Sequence, residues 1–251
     1  MPSRRLLGSV WLALAIALVW SPAAADDGSQ AYVLDGSDAF TIAARQVKSL
    51  ITYHGRETLT RRSLAGGTTT YHAIVTYDRD DGTTVTHDRA AFALTMARNG
   101  DITSQDDADP DYLTILNQPF SIQLDAPTIH DLQTLHGPVP FDFPSPMTGA
   151  PLHGTLRRLD AETLDGVRVL GIAFAAGGPL TGRLPDRPTV ALRGTITMNG
   201  TAYYAYGDAL LLALDATLVI DGTVVGGEGD DTVAITYKRS IRPASVEGRR
   251  R

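Results

Sequence analysis

The sequence predicts a mainly β fold: an antiparallel curved sheet or half-barrel with one principal N-terminal helix. Three observations predict it. Apolar and polar residues alternate through most of the chain beyond residue 50. Turn dipeptides, Asp81-Gly82, Asn99-Gly100, Asn199-Gly200 and Asp221-Gly222, punctuate those stretches. One segment, residues 37–50, carries its apolar residues at helical spacing instead.

The chain opens with Arg4 and Arg5, an apolar stretch over residues 6–20, then Ser21-Pro22 and Ala23-Ala24-Ala25. That order is the positive region, apolar core and small-residue cleavage site of an export signal. Residues 1–25 are read as the signal peptide, and residues 26–251 as a single mature domain beginning at Asp26. The apolar run is shorter than the ~20 residues a bilayer-spanning helix needs, which argues against a retained anchor. Ser3-Arg4-Arg5-Leu6-Leu7 resembles a twin-arginine signal, but the very apolar core fits the general secretory route better. The expected location is outside the cytoplasm of a bacterium, in the periplasm or beyond.

No cysteine is present, so the chain has neither a disulfide nor a lipid-bearing cysteine, and its stability must come from a packed core. Losing Arg4 and Arg5 leaves 20 basic residues against 28 acidic ones and moves the formal charge from -6 to -8. An acidic surface argues against general nucleic-acid binding, which works by neutralising phosphates. The other long apolar stretch, residues 209–220, is interrupted by Asp215 and is too short for a helical span. A soluble mature chain that does not span the membrane is expected.

Along that chain, Ser37 or Asp38 is positioned to cap a helix in which Phe40, Ala43, Ala44, Val47 and Leu50 share a face. Tyr71, Ala73, Val75 and Tyr77 then alternate with Thr70, His72, Ile74 and Thr76, and Asp81-Gly82 turns the chain back toward Val85, Phe92, Leu94 and Met96. The change of parity between Val85 and Phe92 predicts a bulge or a gap. Arg168, Leu170, Ile172 and Phe174 oppose Val167, Val169, Gly171 and Ala173, the pattern of a strand covered on both sides. Val190, Leu192, Ile196 and Met198 lead into Asn199-Gly200. Leu210, Leu212, Leu214, Leu218 and Ile220 lead into Asp221-Gly222, and Val233, Ile235 and Tyr237 form a last strand. Between the halves, residues 136–151 hold five prolines with Phe141, Phe143 and Met147. Proline at that density is incompatible with a helix interior or a central strand, so a strap across one end of the sheet is expected.

No local motif names a reaction. Among the six histidines, His54, His72 and His87 fall one per strand, yet no His-Glu-x-x-His pair exists, and ordinary strand histidines are the expectation. Asp78, Asp80 and Asp81, then Asp106, Asp107, Asp109 and Asp111, then Glu228, Asp230 and Asp231 form acidic clusters without EF-hand order, as solvated turns do. Asp221-Gly222-Thr223 reverses the Asp-Thr-Gly order of aspartic proteases. No Gly-x-Ser-x-Gly elbow or phosphate loop is present. Dispersed carboxylates acting as acid and base stay compatible with the sequence. Arg239, Arg242 and Arg249-Arg250-Arg251 make a basic end, read as a solvated tail. Neither a cofactor nor a metal is expected.

The helix predicted over residues 37–50, followed by a run of hairpin strands, resembles exported envelope proteins of the lipoprotein-carrier type. That resemblance implies a half-open barrel whose helices enclose an apolar ligand cavity. The proline-rich middle and the extended second half depart from it. Large residues expected on the inner face, namely Phe92, Leu94, Met96, Phe141, Phe143 and Leu212, would either pack together or line such a cavity. The leading functional expectation is therefore an exported, non-catalytic binding protein for a lipophilic or envelope ligand. A structural or protein-interaction module of the envelope is the alternative, and a hydrolase with dispersed carboxylates the second.

Overall fold

The computed structural model describes residues 28–64, 67–97, 102–106, 113–115, 126–134, 136–143, 151–160, 162–164, 166–184, 187–206, 211–226 and 231–244. The mainly β expectation holds: the described residues form one antiparallel, open sheet and one short helix. The chain runs through β1 (Gly28–Ile42), β2 (Val47–Ser63), β3 (Thr69–Asp80), β4 (Val85–Met96) and β5 (Ile102–Asp106). The helix α1 (Ala126–Thr134) precedes β6 (Pro138–Phe143), β7 (Leu152–Arg158), β8 (Glu162–Leu164), β9 (Val167–Leu184), β10 (Arg187–Ala205), β11 (Leu211–Val225) and β12 (Asp231–Pro243). Across the sheet the order is β5-β4-β3-β2-β1-β12-β11-β10-β9-β7-β6, with β8 pairing β9.

Period-two sequence becomes period-two burial. In β2, Tyr53, Gly55, Glu57 and Leu59 are buried while Thr52, His54, Arg56 and Thr58 are exposed. In β3, Tyr71, Ala73 and Val75 are buried between exposed His72, Ile74 and Thr76. The buried faces merge into one core that includes Tyr32, Leu34, Leu94, Leu156, Phe174, Ile196, Leu214 and Ile241. Each large aliphatic side chain fully buried there contributes roughly 1.5–3 kcal/mol. We call this the inner face. On β9 the expectation of cover on both sides is met in part: Val169 and Gly171 are buried on the opposite face. A Cβ on Gly171 would come within 3.1 Å of both Leu159 and Tyr203.

Several expectations are corrected. Residues 37–50 form no helix; they end β1, turn at residues 43–46 and start β2. Gln46 takes φ 51°, supplying the left-handed step of the turn, and Ala43 N–H donates to Thr232 O at 3.0 Å. Because β1 pairs along this stretch with both β2 and β12, sheet ladders override the local helical spacing. The carrier resemblance thereby loses its helix and keeps only the run of antiparallel strands. Asn199-Gly200 and Asp221-Gly222 are not turns, since β10 and β11 run straight through them. Gly200 serves close approach instead: a Cβ there would lie 2.2 Å from Asp215 O and 2.5 Å from Phe174 Cζ. Asp81-Gly82 does turn, with Gly82 at φ 84°. Asn99-Gly100 lies outside the described residues, as do residues 1–25 with their expected cleavage site.

No bulge separates Val85 from Phe92. β4 is continuous, and Val85 is exposed while Leu94 and Met96 are buried. A bulge does occur in β11, where Tyr203 opposes Ala213 and Tyr204 opposes Leu211, leaving Leu212 over. Within the proline-rich segment expected as a strap, residues 138–143 are instead an edge strand paired to β7, an edge being where proline is tolerated in a sheet, and residues 144–150 lie outside the described residues.

The strap lies upstream. The connection between β5 and β6 joins opposite ends of the sheet. Five of its described residues are buried, with Ile115, Ile129 and Leu132 in the main apolar cluster and Leu113 and Thr114 beside Ile115, while His130, Asp131 and Thr134 of α1 are exposed. Thr114 Oγ1 donates to Glu57 Oε1 and Ile115 N–H donates to Glu57 Oε2, each at 2.9 Å. Arg158 Nη1 donates to Gln133 O at the end of α1.

Candidate functional site

The inner face holds most of the residues expected there. Leu94, Met96 and Phe143 are buried in the main cluster, and Phe92 and Phe141 pack against it. Phe141 and Phe143 meet edge to face, with ring centroids 4.8 Å apart. Leu212 is buried but stands outside that cluster. The bulge at Leu212 gives its place opposite Tyr204 to Leu211, whose carbonyl accepts from Tyr32 Oη at 2.7 Å. None of the three grooves described below is lined by any of these six residues.

Polar groups are also buried within this face. The side chains of Arg239 and Asp38 are 2% and 4% exposed and form an ion pair at 2.7 Å. Tyr53 Oη donates to the other Asp38 oxygen at 2.9 Å, and the Arg239 guanidinium stands 5.1 Å from the Tyr53 ring centroid. Asp38, expected as a helix cap, is thus an internal counter-ion, and Arg239, expected in a solvated tail, is its partner. Glu57 accepts with both oxygens, as an ionised carboxylate does. Burial pushes the Tyr204 phenol far above its ordinary value.

The outer face is organised by register. One row across the strands reads His87, Asp78, His54, Asp35, Ser240, Asp215 and Thr201, from β4 to β10 through β1 and β12. The next reads Asp80, Thr52, Ser37, Lys238, Thr217 and Asn199. Between the two rows run a groove of about 680 Å³ over β10, β11, β12 and β1 and one of about 480 Å³ over β1 to β4, sharing Asp35 and Gly36. A third, of about 410 Å³, lies on the other side of the first row, between His54, Asp78 and His87 and the next residues outward, Arg56, Thr76 and Arg89.

Acids of the first row pair with bases on neighbouring strands. His54 Nδ1 is 2.7 Å from Asp35 Oδ1, His87 Nδ1 is 2.5 Å from Asp78 Oδ1, and Arg242 Nη2 pairs with Asp215. His153 and Asp142 repeat the pattern on β7 and β6 at 2.7 Å. The three histidines weighed as a metal set do fall one per strand, but only His54 and His87 share a row. His72 sits opposite Thr60 and Ala93, six residues from Asp78 along β3 and so roughly 20 Å away. Among the described residues no group of three or more histidine, aspartate or glutamate side chains is placed to hold a metal. Asp80 and Asp81 accept from backbone amides of their own turn, and Asp81 is held at about 2 by the Thr83 hydroxyl and the Thr83 and Thr84 amides. Asp107, Asp109 and Asp111 lie outside the described residues. Neither outer row was legible beforehand, because each depends on β12 entering between β1 and β11.

No protein-family model matches the chain, and no curated protein matches it. Among solved structures the chain is similar to lipovitellin, in a structure concerned with lipid-protein interactions in that protein. The identity is 9%, the match covers 88% of this chain and 26% of that chain, and the TM-score is 0.40. The chain thus spans about a quarter of the lipovitellin chain. It is also similar to a mutant of Rh. blastica porin at 12% identity, covering 85% of this chain and 100% of that chain with a TM-score of 0.24. At these scores neither likeness bears on the function. Among the described residues no helix is long and apolar enough to cross a membrane.

Proposed function

We propose that the chain is an exported, non-catalytic binding protein that holds an apolar or amphiphilic envelope ligand against the inner face of its sheet. The observation that carries this reading is the nature of the cover. Among the described residues there is a single open sheet and no second one, so its inner face is buried against itself and against the chain's own crossover segment, which contributes Ile115, Ile129 and Leu132. A ligand of similar chemistry would take the place of those side chains when the segment swings aside. The carboxylates support a binding role over hydrolysis: Asp38 is saturated by Arg239 and Tyr53, and Glu57 holds the strap. Export rests on the signal-like residues 1–25.

Native mass spectrometry of the purified protein, with titration of a fluorescent fatty-acid probe, tests the reading. Co-purifying lipid or saturable probe binding is expected. No bound molecule and no saturable binding would refute it.

A further inference from the structure

We propose that the outer face carries a second, independent site: the transverse groove between the two polar rows binds an extended, uncharged oligosaccharide. The groove crosses β10, β11, β12, β1, β2, β3 and β4, because its two parts share Asp35 and Gly36. Seven strands at about 4.8 Å spacing give six gaps and a path of roughly 29 Å. That is a length suited to a chain, not to a single small molecule.

The lining decides which chain. Ser37, Thr52, Asn199, Thr201, Thr217 and Ser240 present hydroxyls and an amide, and each of these groups can both donate and accept. Sugar hydroxyls have the same dual character, and the groove offers such partners on strand after strand, at about the repeat of a glycan stretched across the sheet. An extended peptide is the poorer guest. Strands β1 to β3 and β10 to β12 have neighbours on both sides, so their backbone groups are committed to the sheet. A transverse peptide would gain none of the main-chain bonds that strand addition provides. Polyanions are disfavoured because Asp35, Asp78, Asp80 and Asp215 outnumber the two cations beside them, Lys238 and the Arg242 paired with Asp215. The His54–Asp35, His87–Asp78 and Arg242–Asp215 pairs fix those side chains along one side of the groove and leave the hydroxyl groups to the guest.

Cellohexaose and chitohexaose are the probes, titrated into the purified protein and followed by amide chemical shifts and calorimetry. The expected result is saturable binding of at least one, with shifts at Ser37, Asn199, Thr217 and Ser240 and none at Ile115. The groove-blocking variant Thr217→Trp should weaken binding about tenfold or more while leaving the melting temperature close to that of the parent. If that variant fails to fold, the double truncation Asn199→Ala with Thr217→Ala serves, each lost hydrogen bond being worth several-fold in affinity. Absence of saturation by both sugars at millimolar concentration overturns the proposal. So does competition for the same amides by heparin or by an oligolysine peptide in their place. Fatty-acid binding is read at Ile115 on the opposite face, so failure here leaves the inner-face reading standing, and the reverse is equally true.

Discussion

Glu57→Gln is the sharpest perturbation of the strap. The wild-type carboxylate accepts from Thr114 Oγ1 with one oxygen and from the Ile115 amide with the other, both at 2.9 Å. Glutamine has a single acceptor oxygen and turns its NH₂ toward one of those two donors. One charge-assisted bond is lost and one donor is left facing another, for a cost of about 2 kcal/mol. If the strap opens as a unit below global unfolding, that cost falls on the opening equilibrium and raises the open population about 30-fold. Native-state hydrogen exchange reads it directly, because the bond to Glu57 protects the Ile115 amide while the strap is closed. Its exchange should quicken by that factor while amides in the middle of β10 and β11 change little, and fatty-acid probe should enter faster. Equal acceleration of Ile115 and the central strands would refute the reasoning, since the strap would then be one cooperative unit with the core and no gate.

Further outcomes follow from other sites. Asp38→Ala leaves the Arg239 guanidinium buried without its counter-ion and should cost about 3–5 kcal/mol, or roughly 6–20 °C in Tm; pairing it with Arg239→Met should recover part of the loss. Gly200→Ala drives a methyl into Asp215 O and Phe174, so a loss of about 2–3 kcal/mol is expected by urea denaturation, and a neutral result would show that β10 and β11 yield there. The Asp81 carboxyl is depressed from 3.8 to about 2, so the stability its turn bonds contribute is present in full above pH 3.8 and is lost as pH falls through 2. Acid titration of Asp81→Ala against the parent should therefore show a difference at neutral pH that closes over that interval. Amino-terminal sequencing of the exported form should return Asp26; a chain beginning at Met1 or Pro2 would contradict the processing expectation.

Much of the fold was legible where burial alternates along a single strand. The alternation of Tyr71, Ala73, Val75 and Tyr77 with their neighbours marks one strand, and Asp81-Gly82 its turn, because both depend on residues close in sequence. The errors come from glycine and from pairing. Gly200 and Gly222 stand where β10 and β11 approach their neighbours too closely for a side chain, yet beside Asn199 and Asp221 they look like hairpin turns. The turn at residues 43–46 has no glycine, its left-handed step being taken by Gln46, so nothing marked it. Leu212 was misplaced by a one-residue bulge that no local signal announces. The candidate sites were less legible still. His54 meets Asp35, and Lys238 meets Ser37, only through register, and Glu57 finds residues 114 and 115 only because the crossover connection spans the sheet.

The pairing of β1 with β12 has a kinetic side. Residues from β1 to β5 form one set of neighbouring strands and those from β6 to β12 another, and among the described residues the strand pairing that joins the two sets is the ladder from Tyr32 and Pro243 to Ile42 and Val233. Closing a loop on the order of 200 residues rather than 10 costs about 2–3 kcal/mol more in chain entropy, so that seam should zip late and set the folding rate. Until the last strand is available, each half exposes a long raw edge at β1 and at β11. A chain truncated before Asp231 would therefore be expected to leave two half-sheets prone to self-association rather than a slightly smaller version of the same protein.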